Sequence, residues 1–176
     1  MKLRKVPMLL SLVAALSLLF GGWFLYQKMQ IESPLREQAE KLTSAILVDF
    51  QMEKDRIDIK LQVTKPETFV EEYPELLKTL QTYARGKAFD IMLTNQADSL
   101  KLVWNEGLFG LTEAIEGKEY SKIPTILTQM KNLYKLDEAY GRIDETNVYI
   151  FLKRGTDEYY QVIPRKQSTS EVINRE

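Results

Sequence analysis

Residues 7 to 26, PMLLSLVAALSLLFGGWFLY, contain no charged side chain. No other feature constrains the chain as much, because it bears on where everything after it must fold. At ~1.5 Å rise per residue, about 20 apolar residues cross the ~30 Å hydrocarbon core of a bilayer. The apolar part of a cleaved secretory signal is shorter, about 7–15 residues. Cleavage also needs small residues at alternate positions. Val13 and Ala15 form such a pair, but Leu16, Leu18 and Leu19 carry the apolar run beyond it. Gly22 is small, yet Phe20 stands two residues before it. The sequence therefore predicts a retained transmembrane anchor over 7–26. Trp23 and Tyr26 close the run and are the expected membrane-interface residues, since amphipathic aromatic rings favour the headgroup level. Lys2, Arg4 and Lys5 precede it. That bias predicts a short cytoplasmic tail over 1–6, a single pass through the cell membrane, and an extracytoplasmic remainder.

Composition narrows the chemistry. The chain has 24 basic and 25 acidic residues, for a net charge of -1. Three of the basic residues and none of the acids lie before residue 28, so the remainder is net acidic. A nucleic-acid partner is not expected, because recognition of phosphate backbones needs a clearly basic face. Cysteine and histidine are both absent. Thiol nucleophiles, disulfides and cysteine-type zinc sites are excluded. The side chain that most often serves as general base and metal ligand near neutral pH is missing too. No cofactor and no metal are expected.

The pass along the chain rests on periodicity. Ser33-Pro34 reads as a helix start, followed by Leu35, Ala39, Leu42 and Ile46 along one helical seam. This predicts a juxtamembrane helix within 27–54. Ile57, Ile59, Leu61 and Val63 alternate with polar residues, the mark of a strand with one buried face. Phe69, Tyr73, Leu76, Leu77, Leu80 and Tyr83 share one helical face, with Pro74 as the expected start of the main helix and a separate turn before it. Phe89, Ile91 and Leu93 give a second alternating strand. Two amphipathic helices follow, one through Leu100, Val103, Trp104, Leu108, Leu111 and Ile115, the other through Ile123, Ile126, Leu127, Met130 and Leu133. Gly107 and Gly110 in the first predict close packing of that helix on a sheet. The last third holds three strand-like pieces, 140–144, 148–153 and 158–163, separated by turn residues.

The fold class expected from this order is α+β: an amino-terminal transmembrane helix, then a small domain over 55–165 with a mainly antiparallel sheet, a carboxy-terminal meander, and helices mostly on one face. Residues 166–176 are polar and predict a disordered tail.

Catalytic candidates are thin. Ser99 with Lys101 and Ser121 with Lys122 are neighbours, but adjacent helix residues do not face each other, and serines there suit helix starts. Glu71–Glu72 and Asp137–Glu138 are the obvious carboxylate pairs, and neighbouring acids on a helix or turn usually face solvent. The aromatic residues Tyr140, Tyr149, Phe151, Tyr159 and Tyr160 stand out instead. Strand alternation sends some of them to each face. An exposed aromatic cluster would mark a contact surface, whereas cross-strand pairing would make the same residues sheet stabilisers.

A tether followed by a small helix-and-strand region, over roughly residues 34 to 94, resembles anchored extracytoplasmic proteins of Gram-positive bacteria. Some of those oligomerise through a compact α/β ring-building domain. The expectation is a membrane-anchored, non-enzymatic interaction or scaffold module of a bacterial envelope complex, with a protein partner or a second copy as its target. A sensor of a small ligand or cell-wall component is the alternative, and a carboxylate hydrolase a third.

Overall fold

The computed structural model describes residues 5–27, 29, 33–84 and 86–165. Helix α1 runs Lys5–Gln27, so it begins two residues before the uncharged run. The rest of the 1–6 segment and all of 166–176 lie outside the described residues. The side chains described along α1, at 9 to 23, are exposed throughout. That stretch rises about 22 Å, short of the ~30 Å hydrocarbon core. Among the described residues no helix is long and apolar enough to cross a membrane.

The remainder is α+β. Helix α2 (Ser33–Glu40) leads into strands β1 (Ala45–Met52) and β2 (Arg56–Val63), helix α3 (Pro66–Tyr83) and strand β3 (Ala88–Leu93). Helices α4 (Asp98–Glu116) and α5 (Ile123–Tyr134) follow, then strands β4 (Glu138–Ile143), β5 (Asn147–Arg154) and β6 (Asp157–Pro164). The strands form two three-stranded sheets, ordered β1-β2-β3 and β4-β5-β6. Only the β2–β3 pair is parallel, joined through α3; every other pair is antiparallel.

Three expectations need correction. The juxtamembrane helix within 27–54 stops at Glu40, and β1 occupies its second half. Leu35 and Ala39 do face inward from α2, and both are fully buried. Ile46, placed on the same seam, sits instead on a strand opposite Gln62. Second, α3 is continuous through Pro74. Phe69 and Tyr73 before the proline, and Leu76 and Leu80 after it, are all buried. Burial of roughly 2 kcal/mol per such side chain outweighs the missing N–H and the ring clash. Third, helices lie on both sides of the carboxy-terminal sheet. One face joins a core built with α2, α3, β1 and β2. The other joins a second core built with α4 and α5.

The glycines of α4 serve a helix–helix contact, not the helix–sheet contact expected. A Cβ at Gly107 would collide with Met130 Sδ of α5, and one at Gly110 would stand 3.6 Å from Ile126 Cδ1. Gly141 does the same for the sheet: a Cβ there would press at 3.3 Å on both Ile123 and Leu127.

What joins the two sheets is a short segment just after β3. Asn95 is buried there. Its side-chain amide imitates a strand. The Val63 N–H donates to Asn95 Oδ1 at 2.8 Å, and Asn95 Nδ2 donates back to the Val63 carbonyl at 3.0 Å. The same nitrogen also donates to Glu158 Oε2 at 2.7 Å. Its backbone carbonyl accepts from the Tyr160 N–H at 2.9 Å, and the Ala97 N–H donates to the Glu158 carbonyl at 2.9 Å. Gln96 Nε2 adds a bond of 2.6 Å to the Tyr160 carbonyl. Replacing Asn95 by Ala strands two buried backbone groups of Val63, each costing about 1–3 kcal/mol when unsatisfied. Asn95→Ala should therefore lower the melting temperature of the purified chain by roughly 4–8 °C, the shift expected for about 2 kcal/mol in a domain of this size. An unchanged melting temperature would show that the seam does not rest on this side chain.

Candidate functional site

The register of the carboxy-terminal sheet places the five aromatic residues. Tyr140, Phe151 and Tyr160 are cross-strand neighbours in one row, and Tyr149 pairs with Arg142 and Val162 two positions along β5. These two rows share the face that meets α3. Tyr149 and Phe151 are at most 1% exposed and Tyr160 is 4% exposed. Phe69 and Tyr73 of α3 meet Tyr149 edge-on, with ring centroids at 6.4 and 5.9 Å. Phe151 contacts Tyr140 at 5.2 Å and Tyr160 at 5.1 Å. Tyr159 is alone on the opposite face, where it stacks on Trp104 at 5.6 Å. Tyr140 is half-buried at the edge strand, with the Arg142 guanidinium 5.0 Å over its ring.

Of the two roles open to these residues, an exposed contact surface or cross-strand pairs, the fold buries four of the five and leaves Tyr140 half-buried. Alternation separates the residues into two faces as the sequence implies, but both faces are covered. Six successive β5 residues, Asn147 to Leu152, are buried. The aromatics act as core and cross-strand pairs. Trp23 and Tyr26 differ: both are exposed at the end of α1, at 66% and 45%.

Several carboxylates are likewise committed to structure. Glu72 grips the entry to β1, accepting from the Thr43 N–H, the Thr43 hydroxyl at 2.7 Å, the Ser44 N–H at 3.1 Å and the Ser44 hydroxyl at 2.5 Å. Burial pushes its pKa up, and these donors outweigh that and hold it below the usual glutamate value. Asp137 accepts from the Gly155 N–H. Of the serine–lysine neighbours, Ser99 donates to Asp157, and Lys122 is paired with Glu119 at 2.5 Å. Among the described residues, no group of three or more Asp or Glu side chains is placed to hold a metal ion.

Asp144 organises the β4–β5 turn. One oxygen accepts from the Thr146 and Asn147 N–H groups, both at 2.6 Å; the other accepts from the Tyr149 hydroxyl at 2.5 Å. Partial burial raises its pKa, but the donors prevail and the net shift is downward. The Tyr149 hydroxyl is displaced upward, by burial first and by its bond to Asp144 second.

Surface that is not committed lies on α4 and α5. Phe109 is 85% exposed, Leu102 73% and Leu133 72%, more than any other large hydrophobic residue described after residue 29. Leu102 and Phe109 are seven apart on one face of α4, with Glu106 and Glu113 beside them on the same face. Leu133 is seven residues from Ile126, the α5 residue that meets Gly110, so it lies on the flank of α5 turned toward α4. On the other flank of α4, Trp104, Leu108, Thr112, Ile115 and Glu116 join Ile163 and Pro164 around a cavity of about 210 Å³. No protein-family model, curated protein or solved structure matches this chain.

Two substitutions separate the roles of Tyr149. Tyr149→Phe keeps the ring and removes the donor to Asp144, which should cost about 1–2 kcal/mol at neutral pH. The sign of the pH effect follows from the depressed carboxylate. Its contribution is present above the unfolded value of 3.8 and is lost as pH falls through the folded value. Stability measured by urea unfolding from pH 7 to pH 3 should fall less steeply in Asp144→Asn than in the parent. An identical acid slope would remove Asp144 as a contributor.

Proposed function

We propose that this chain is a single-pass membrane-anchored protein whose extracytoplasmic domain works as a non-enzymatic interaction or scaffold module in a bacterial envelope complex. The observation that carries this reading is α1. It is a 23-residue helix that carries the uncharged run 7–26, although its described residues alone fall short of a membrane span. Its described side chains from Leu9 to Trp23 are all exposed, and they include Leu18 at 78% and Leu10 at 71%. Such a helix has no water-soluble resting place on its own, and a bilayer core supplies one. Trp23 and Tyr26 would then sit at the far interface. The basic residues ahead of the run favour a cytoplasmic amino end. A uniform ring of exposed apolar side chains also argues against packing on the domain, which would bury one stripe.

The interaction half of the reading is supported by the apolar face on α4 and α5. Monomers in water do not usually gather their most exposed large hydrophobics on one helix pair. The cavity beside Trp104 favours the second reading, a small-ligand sensor. A ligand that prefers the folded state raises the melting temperature, so a thermal-shift screen separates the two.

The anchor is tested directly. The full chain should remain in the membrane pellet after alkaline carbonate extraction, and its mature amino terminus should lie before residue 15. Leu16→Arg places a charge at the middle of the run, at a cost of about 3 kcal/mol on insertion scales. A measurable fraction of that variant should move to the supernatant. A parent protein that extracts fully, or that begins beyond residue 15, would overturn the anchor.

A further inference from the structure

We propose that the α4–α5 face is a docking surface for a basic amphipathic helix of a partner protein. This deepens the interaction reading above and rests on it. Leu102 and Phe109 stand seven residues apart and about 10 Å along α4 at the standard rise. That is the repeat at which one helix presents side chains to another laid alongside it. Leu133 adds an exposed apolar side chain on the flank of α5 turned toward α4. The three are the most exposed large hydrophobics of the domain.

Charge decides among the possible occupants. Glu106 and Glu113 lie between Leu102 and Phe109 on one side and α5 on the other. Among the described residues Glu106 makes no ion pair. Lys122, which lies within the field of Glu113, is held by Glu119 at 2.5 Å. Lys101 points about 100° away from Leu102 around α4, and Lys131 about 160° away from Leu133 around α5. Lys135 lies beyond the end of α5. The exposed face is therefore apolar, with Glu106 and Glu113 beside its apolar residues.

A bilayer with anionic headgroups is repelled by those carboxylates. A second copy fits poorly too. Antiparallel pairing of two α4 helices to bring Leu102 over Phe109 centres on residues 105 and 106, and sets the Glu106 carboxylates of both copies against each other. A helix with apolar residues at the same heptad spacing and Lys or Arg on its flanks satisfies both features at once. Ion pairs at the rim would set orientation and on-rate, while the apolar anchors would set the lifetime.

The test uses the full chain in neutral detergent micelles and two synthetic helices. Both carry leucines at heptad spacing; one has Lys on its flanks, the other Glu. The Lys peptide should bind and the Glu peptide should bind at least about tenfold more weakly, with the difference shrinking as salt rises. Phe109→Ser or Leu102→Ser should weaken the Lys peptide by about tenfold, the size expected for truncating an anchor. Unchanged melting temperatures would confirm that these exposed substitutions leave the fold intact. The double variant Glu106→Lys, Glu113→Lys should reverse the peptide preference. Equal binding of both peptides, binding insensitive to Leu102 and Phe109, or crosslinking of Phe109 to a second copy would each overturn the proposal. Binding of the chain without its partner peptide to anionic vesicles through Phe109 would do the same. Carbonate extraction of the same variants scores the tether separately, so a refuted docking face with a retained membrane pool leaves the anchor reading standing.

Discussion

The fold depends on one side chain behaving as backbone. Asn95 offers a carbonyl and an N–H in the geometry of a peptide group, and Val63 pairs with both. At the same residue the main chain pairs with Tyr160. The amino-terminal sheet thus continues into the carboxy-terminal one at the end of β3, through an isolated bridge between Gln96 and Tyr159. Two small sheets, each too narrow to enclose a core, are thereby held at a fixed angle around α3. The position demands an amide. A carboxylate could accept from Val63 but could not donate, and it would face Glu158 with like charge.

That seam also explains why there are two cores and not one. With the first sheet and α3 covering one face of β4-β5-β6, the other face remains, and α4 with α5 closes it. β5 becomes a central strand buried on both sides, and the close approach of α5 is permitted by Gly141. The cross-strand aromatic rows are then internal, and their hydroxyls are used locally. Tyr149 ties the α3 core to the β4–β5 turn through Asp144. The acids do similar work elsewhere: Glu72 fixes β1 to α3, Arg142 holds Glu67 through two bonds, and Asp49 pairs with Lys60 across β1 and β2.

Much of this was legible in the residues. β2 and β3 alternate cleanly, α4 and α5 carry continuous stripes, and the final meander lies within two residues of its expected bounds. What failed has physical causes. β1, AILVDFQM, has four apolar residues in a row and a bulge between Leu47 and Asp49, so its period is broken and Ile46 passes for a helical position. The local cost of Pro74 points to a helix start, and tertiary burial of the α3 face overrides it. Strand alternation in 140–160 correctly separated two faces but carried no information on whether the second would be covered. Asn95 gave no signal at all, since one polar residue between a strand and a helix reads as loop. The exposed residues of α4 were visible only in part: Leu108 was placed on the buried stripe, and it is 36% exposed in the fold.

On the proposed reading, tether and surface have to be considered together. Three apolar side chains and two carboxylates make a small contact, well below the area of a stable standard interface between proteins free in solution. Such a contact is weak when each encounter costs full translational freedom. Holding both partners in one membrane changes that cost. Confinement converts association toward an intramolecular event with a high effective concentration, and avidity rises without any new contact. A patch too small to risk aggregation in water is then large enough to select a partner at the membrane. The two carboxylates add discrimination where hydrophobic contact alone has little, because a wrong partner with an acidic flank is repelled before it can bury Phe109. The features that look least remarkable separately, an apolar helix and a handful of exposed residues on α4 and α5, therefore make physical sense as one device.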